Sequence, residues 1–316
     1  MHKCLIFNTE KDYVRTKNFV KYTKDLFEHE FVSPKSRLHK ILSLKRNCWA
    51  YMPNFDPILL RMCNLLNVKV ISDILEPHPE MHSSFILKKF YGLLEKDSVK
   101  RSNIVLTVAE EETANLKKKY NAKNIFTIRN FPELFDFKPS KRKFRRFIII
   151  YFGVYAPSRN LKNVTKAIAK LQKEHEIDFL VIGDKRLLSQ VHCNHRYFGW
   201  LNHNKASNLI GKSHIGICPY ENSLHCNLTL QNKAFQYAAC NTFPLSTSLK
   251  PLRNYKKLIG LVKDNSIENW YGEIKTVYFS WKNKKLKFNQ REILIENKWV
   301  AKDEWSKLNE IIGKRK

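Results

Sequence analysis

Glycine is scarce in this 316-residue chain, with 9 in all, so collagen-like sequence and flexible glycine linkers are excluded and glycine-rich phosphate loops have little to be built from. No GxxxxGK[ST] run and no GxSxG run occurs, which removes P-loop NTPases and nucleophile-elbow hydrolases. The 7 cysteines are odd in number and form no CxxC pair, a pattern that suits reduced thiols in a cytosol better than a disulfide framework. His192-Cys193-x-His195 and His225-Cys226 place neighbouring side chains in diverging directions, so no metal site is expected from them. Long apolar runs are missing as well: stretches such as Phe147 to Val154 fall well below the ~18 residues of a membrane-spanning helix. Met1 to Val14 alternates charged and apolar residues without the apolar core of a secretory signal, and the expected location is cytoplasmic.

Acid is the scarcest charge. Asp plus Glu number 29 against 57 Lys plus Arg, a net charge of +28. At 43% hydrophobic and 12% aromatic the chain is too apolar for a disordered basic tail, and its length suits two domains. A charge of this size points to nucleic acid, an anionic membrane face or an anionic substrate.

Periodicity predicts strands at Lys3–Asn8, Cys48–Met52, Val68–Ser72, Ile104–Val108 and Ile125–Arg129, alternating with helices at Tyr13–Phe27, Pro57–Leu66, Met81–Arg101 and Glu110–Tyr120. Within Met81–Arg101, Ile86, Phe90, Leu93 and Leu94 share one side, with Lys88, Lys89, Lys96, Lys100 and Arg101 elsewhere. The stretch Phe137 to Arg146 has no periodicity and reads as an interdomain linker. The alternation then restarts with strands at Phe147–Phe152, Phe179–Ile182, Tyr197–Gly199, Ile215–Cys218 and Phe243–Ser246 and helices at Leu161–Glu174, Asn204–Gly211 and Leu230–Ala239. Two short elements are expected after Pro251 and a helix at Asp303–Ile312. Strands alternating with helices make an α/β fold of two doubly wound, Rossmann-like halves. The domains expected are residues 1–140, a basic linker 141–147, a second domain 148–290 and a helical segment 291–316.

The most informative stretch is Tyr197 to Ser246. A strand leads to Gly199-Trp200 and a helix. Ile215-Gly-Ile-Cys-Pro-Tyr220 then opens a polar loop, Glu221 to Thr229, ahead of Gln231-Asn-Lys-Ala-Phe-Gln-Tyr-Ala-Ala-Cys240. A polar loop before a helix start presents free N–H groups and a positive dipole end, suited to a diphosphate. This order resembles the nucleotide-sugar half of family-4 retaining glycosyltransferases of the GT-B fold. Tyr151-Phe-Gly153 followed by Arg159 and Lys162, and Leu180-Val-Ile-Gly183, are similar to that family's donor-domain strands. Val70-Ile-Ser-Asp-Ile-Leu-Glu-Pro-His-Pro-Glu80, Thr107-Val-Ala-Glu and Ile128-Arg-Asn-Phe-Pro132 resemble segments of its first domain, and Trp299–Ile312 its terminal helix.

The resemblance covers nearly the whole chain and implies two Rossmann-like domains facing a central cleft, with the C-terminal helix crossing back to the first. It implies sugar transfer, with retention, from a UDP- or GDP-sugar to a glycan or lipid-linked acceptor, with no permanent cofactor and no metal. The donor residues so implied are Gly153, Arg159, Lys162, Gly183, Glu221, Asn227, Leu228, Thr229, Asn232, Lys233 and Gln236. Arg159, Lys162 and Lys233 would meet the phosphates, assisted by the backbone of Asn227 to Thr229. Asp73 and Glu76 are the catalytic candidates, as base or orienters of the acceptor. The sequence departs from the family where Gln236 and Leu228 replace acids and Leu75 replaces a histidine, leaving Glu221 as the nearest acid. A sugar-nucleotide epimerase, an inactive homologue serving as a binding subunit, and a basic nucleic-acid binder stay open as alternatives, the last being the least favoured. Lys141 to Arg146 and the Met81–Arg101 helix are candidates for contact with an anionic membrane surface, making the protein peripheral there, with a solvated hinge as the plain reading of the former.

Overall fold

The computed structural model describes residues 1–7, 14–33, 36–42, 48–53 and 56–314. Asn8 and Tyr13, expected at element ends, lie outside the described residues, as do Arg315 and Lys316. Contacts divide the chain into two units: Met1–Asn130 with Leu228–Leu230 and Ala301–Lys316, and Phe131–Asn227 with Gln231–Val300.

In the first unit the order is β1 (His2–Ile6), α1 (Val14–Thr23), β2 (Phe27–Phe31), α2 (Arg37–Leu42), β3 (Trp49–Met52), α3 (Pro57–Leu65), β4 (Lys69–Ile74), α4 (Phe85–Arg101), β5 (Ile104–Thr107), α5 (Glu110–Tyr120) and β6 (Ile125–Thr127). The second unit holds β7 (Phe147–Gly153), α6 (Leu161–Glu174), β8 (Ile177–Gly183), β9 (Arg196–Tyr197), α7 (His203–Lys212), β10 (Ile215–Cys218), α8 (Leu224–Leu228), α9 (Asn232–Ala239), β11 (Phe243–Thr247), β12 (Gly260–Val262), α10 (Ile267–Lys282) and α11 (Gln290–Glu296). The last helix, α12 (Ala301–Gly313), belongs to the first unit.

Each unit carries one sheet of parallel strands, in the orders β2-β1-β3-β4-β5-β6 and β12-β11-β10-β7-β8-β9. Ile104 to Thr107 and Phe147 to Tyr151 are buried at every position, as strands covered on both faces must be. Trp305, Leu308 and Ile312 of α12 join Phe19, Trp49, Tyr51 and Ile71 in one core cluster. Glu304 fixes that docking: its Oε1 accepts from the Arg129 backbone N–H at 3.0 Å and from Arg129 Nη1 at 2.9 Å.

Several sequence expectations are corrected. The helix read through Phe27 stops at Thr23, and Phe27-Glu-His-Glu-Phe31 is an edge strand paired with β1 from His2↔Phe27 to Ile6↔Phe31. The helix expected from Met81 starts at Phe85, after a 3-10 turn at His78–Met81. On the side the spacing picked out, Ile86, Phe90 and Leu93 are 77%, 52% and 59% exposed. The loop Glu221–Thr229 contains the short helix α8. Beside the short elements expected after Pro251, β12 and α11, stands the unforeseen long helix α10, capped where Ser266 Oγ accepts from the Asn269 N–H and buried along Trp270, Ile274, Val277 and Tyr278. The basic segment is no free strap: the Phe144 N–H bonds Lys212 O at 3.0 Å, and Lys143 Nζ bonds Ser213 O at 2.6 Å and Asn241 O at 2.7 Å.

His214, fully buried before β10, accepts the Ile148 N–H on Nδ1 at 3.0 Å, so the ring is neutral with its proton on Nε2. Burial, with Lys143 nearby, pushes its pKa down to about 3 from an ordinary 6.5. The unfolded chain therefore binds the extra proton first as pH falls below 6.5. The resulting stability is fully present above that pH and is lost progressively down to about 3, at a rate of about 1.4 kcal/mol per pH unit. Urea midpoints between pH 7 and 4 are expected to drop less steeply in His214→Asn, which keeps an acceptor for Ile148 without the titration. Equal slopes would remove His214 from the acid response.

Candidate functional site: a cation pair at the ends of β7 and β10

At the carboxyl end of the second sheet β7 and β8 pair glycine to glycine, Gly153 against Gly183. A Cβ on Gly183 would lie 2.0 Å from Gly153 O, and one on Gly153 would meet Lys233 Cε at 2.6 Å, so both positions need glycine. The space a side chain would take at Gly153 is held by the Lys233 ammonium stem. Asp184 fixes the adjoining turn, accepting from the Tyr155 N–H at 3.4 Å and from the Arg186 N–H at 2.9 Å, and the Arg186 guanidinium lowers its carboxyl to about 2.

Lys233 is in the first turn of α9, a helix with no acid in that turn, and it is buried. Among the described residues it has no hydrogen bond or ion pair, only the face of Phe152 with the ring centroid at 5.7 Å. Burial, with the Arg159 guanidinium nearby, pulls its pKa down to about 7. The other ionisable groups here are neutral at that pH: burial pushes the Cys218 thiol and the Tyr151 hydroxyl each up to about 12, and Tyr220 well above its usual range. Tyr151 Oη is buried without a hydrogen-bond partner among the described residues. A buried ammonium at the start of α9, near a guanidinium and without an ion pair of its own among the described residues, is a site suited to an anion.

Arg159 is carried on a braced loop. It forms an isolated bridge with Tyr220, its Nη1 donates to Val154 O at 2.9 Å, and the Glu221 N–H bonds Ser158 O at 2.9 Å. Glu221 takes part in this brace, since its Oε1 accepts from Asn160 Nδ2 at 2.6 Å while Asn160 Oδ1 caps α6 at the Lys162 N–H. Lys162 itself is exposed on the first turn of α6, and no hydrogen bond or ion pair ties its side chain to Lys233 or Arg159.

The remaining residues differ in what they offer. Asn227 is engaged: its backbone N–H bonds Ser223 O within α8, Nδ2 bonds Asn222 Oδ1 at 2.6 Å, and Oδ1 accepts from the Lys250 N–H at 2.8 Å. This corrects the expectation of a free amide there. Leu228 is buried and Thr229 half-buried; Asn232 and Gln236 are both half-buried on α9. Tyr237 is packing, its ring seated where Gly216 has no side chain and its hydroxyl accepting the Phe152 N–H at 3.2 Å.

In the first unit Asp73 is 2% exposed, and both its oxygens are taken: Arg15 Nε and Nη2 donate at 2.6 and 2.8 Å and the Tyr51 hydroxyl at 2.5 Å. Arg15 also bonds Ile128 O at 2.7 Å and lies over the Trp305 ring at 5.0 Å. Glu76, two residues past β4, is half-exposed with no side-chain partner among the described residues. Residues that the sequence reading did not assign to a site are Tyr151, Asn160 and Asp184 around the cation pair, and Arg15 and Tyr51 around Asp73. An acid directly after a strand-ending glycine was a usable signal for Asp184; Arg15 and Tyr51 carried none.

No family model and no curated protein sequence matches this chain. Solved structures do. Sucrose-phosphate synthase from Thermosynechococcus elongatus superposes with a TM-score of 0.76 at 9% identity over 99% of both chains. Anabaena HepE in complex with UDP-glucose gives 0.73 at 9% identity over 99% of this chain and 100% of that one. The fold is GT-B. The apo lipopolysaccharide outer core galactosyltransferase WaaB, similar at 0.65 with 10% identity over the full length of both, shares this GT-B arrangement.

Proposed function

We propose that this GT-B chain is a glycosyltransferase, taking a sugar from a UDP- or GDP-linked donor and passing it, with retention and without a metal, to a glycan or lipid-linked acceptor. The observation that carries this reading is the buried Lys233 ammonium stem packed against Gly153, with the half-buried Arg159 guanidinium near it and no ion pair to Lys233 among the described residues. Support comes from the neighbours, one of which is described in complex with UDP-glucose.

In transfer, the bond between the anomeric carbon and the β-phosphate oxygen breaks and its electron pair stays with the leaving diphosphate. Lys233 and Arg159 stabilise that growing charge, the task a divalent ion would otherwise perform. Gly153 makes room for the Lys233 stem and Gly183 for the Gly153 carbonyl, which seats the ammonium at the end of the sheet, and Lys162 provides a solvent-side cation. Gln236 addresses the donor ribose by neutral hydrogen bonds in place of a carboxylate. The acceptor hydroxyl loses its proton as its oxygen bonds to the anomeric carbon, and Glu76 is the group we assign to orient or receive it. Asp73, both oxygens engaged, we assign to holding the end of β4.

Thermal shift with UDP, GDP and ADP, followed by turnover of the matching nucleotide sugars, tests the reading. A shift of several degrees by UDP or GDP and release of that nucleotide only with an acceptor present are expected. Conversion of the donor without acceptor would mark an epimerase, and no shift with any nucleotide would sink the proposal. Gln236→Glu is expected to raise turnover; no change on a chain that binds nucleotide but transfers nothing would mark a binding subunit.

A further inference from the structure

Helix α4 points its apolar stripe the wrong way for a core helix. Ile86, Phe90 and Leu93 follow one another at i, i+4 and i+7 and so form one line along the helix. That line is exposed at 77%, 52% and 59%, and Phe85 at 77% and Leu87 at 43% add to it. The opposite side is the anchored one: Glu95, Ser98 and Val99 are buried, and Glu95 Oε1 accepts from the Tyr120 hydroxyl at 2.7 Å and from Lys119 Nζ at 2.8 Å. Tyr91 stacks on His82 with ring centroids 4.5 Å apart. The orientation is therefore set by packing on α5 and on the preceding turn, and the stripe is left outward.

Exposed Lys89, Lys96 and Lys100 run beside the stripe, with Lys88 and Arg101 also exposed, and no acid occurs between Met81 and Leu94. An apolar line edged by lysines is complementary to a surface that is oily within and anionic at its rim. A second copy of this chain is a poor occupant, because a two-fold contact would set each lysine row against its own image in a protein already carrying +28. Nucleic acid would match the lysines but leave the aliphatic stripe in water.

We infer that the outward face of α4 docks on an anionic lipid bilayer, inserting Phe85, Ile86, Phe90 and Leu93 among the headgroups while the lysines engage lipid phosphates. This rests on the helix face alone and is independent of the sugar-transfer reading. Co-sedimentation of the full chain at about 0.1 M salt with phosphatidylcholine vesicles, with and without a quarter phosphatidylglycerol, reads it directly. Pelleting is expected only with the anionic vesicles. The triple variant Ile86→Ser, Phe90→Ser, Leu93→Ser is expected to bind at least tenfold more weakly with an unchanged melting temperature, since all three side chains are exposed. Lys89→Gln with Lys96→Gln is expected to weaken binding roughly 25-fold, about fivefold per lysine. Absence of binding to anionic vesicles overturns the inference, as does equal binding by the serine variant. A concentration-dependent dimer seen by light scattering without lipid, and abolished by the serine variant, would also overturn it in favour of a second copy. Should the serine variant unfold, the glutamine pair decides by itself: undiminished binding refutes the docking surface.

Discussion

Lys233→Met is expected to lower transfer from the nucleotide sugar at least 100-fold while leaving the melting temperature unchanged or higher. The two halves of this result have one cause. A buried ammonium beside a guanidinium, with only neutral Cys218 and Tyr151 near it, destabilises the folded chain, because desolvation of the charge is not repaid by any counter-ion among the described residues. Methionine keeps the stem length and removes that cost. The same change deletes a preorganised cation aimed at the leaving phosphate, and loss of one such donor typically costs about 100- to 1,000-fold in rate. A lysine serving only to pack α9 would instead lower stability and leave the activity of the folded protein intact. Donor affinity carries a pH signature as well. With its pKa near 7 in the free protein, Lys233 must be protonated to meet the phosphates, so affinity for a UDP-sugar is expected to weaken about tenfold per pH unit above about 7. Lys233→Arg, charged throughout, is expected to flatten that dependence. Affinity indifferent to pH between 7 and 9 in the native chain would remove Lys233 from the donor site.

Asp73→Ala is expected to cost the first unit about 3 to 5 kcal/mol, visible as a large fall in the urea midpoint. The reason is that it leaves Arg15, 1% exposed, as a buried charge without its carboxylate. Asp73 joins Arg15 of α1 and Tyr51 of β3 to β4, and Arg15 reaches Ile128 O and the Trp305 ring of α12, so one substitution loosens four elements. Asp73→Asn keeps an acceptor for Tyr51 and is expected to lose less. Rates measured on the folded protein separate this role from chemistry. If Asp73→Asn lost turnover 100-fold with an unmoved urea midpoint, the carboxylate would belong to the reaction and not to the scaffold.

The contrast between Asp73 and Glu76 shows where sequence reading reaches its limit. Both acids stand at the end of a β-branched strand, and nothing local distinguishes them. What separates them is a partner 58 residues away: Arg15 lies in α1, and only the placement of β1, β3 and β4 side by side brings its guanidinium to Asp73. The reverse holds for α4, where local periodicity finds the apolar line correctly but is silent on its direction. An amphipathic helix buries its apolar side when a neighbour offers an apolar surface. Here the neighbour α5 offers Tyr120 and Lys119, which take Glu95 instead. Strand β2 was lost for a related reason, since five residues on a sheet edge are recognised only through the strand they pair with.

By itself the sequence determined the two α/β halves, because buried parallel strands must be written as β-branched and aromatic runs and their crossovers as helices of regular spacing. It also placed glycines at Gly153 and Gly183, where backbones meet too closely for a side chain. Tertiary structure alone decided which charges are free. Of the polar residues proposed for the donor site, Glu221 is held by Asn160, Asn227 by the Lys250 backbone, and Lys162 stands in solvent, while Lys233 is buried near Arg159 with no ion pair of its own among the described residues. Charge is a property of a residue type, whereas being paired or unpaired depends on what the fold brings within a few ångströms. For a chain carrying +28, that distinction separates the two cations assigned to the donor from the surface row on α4.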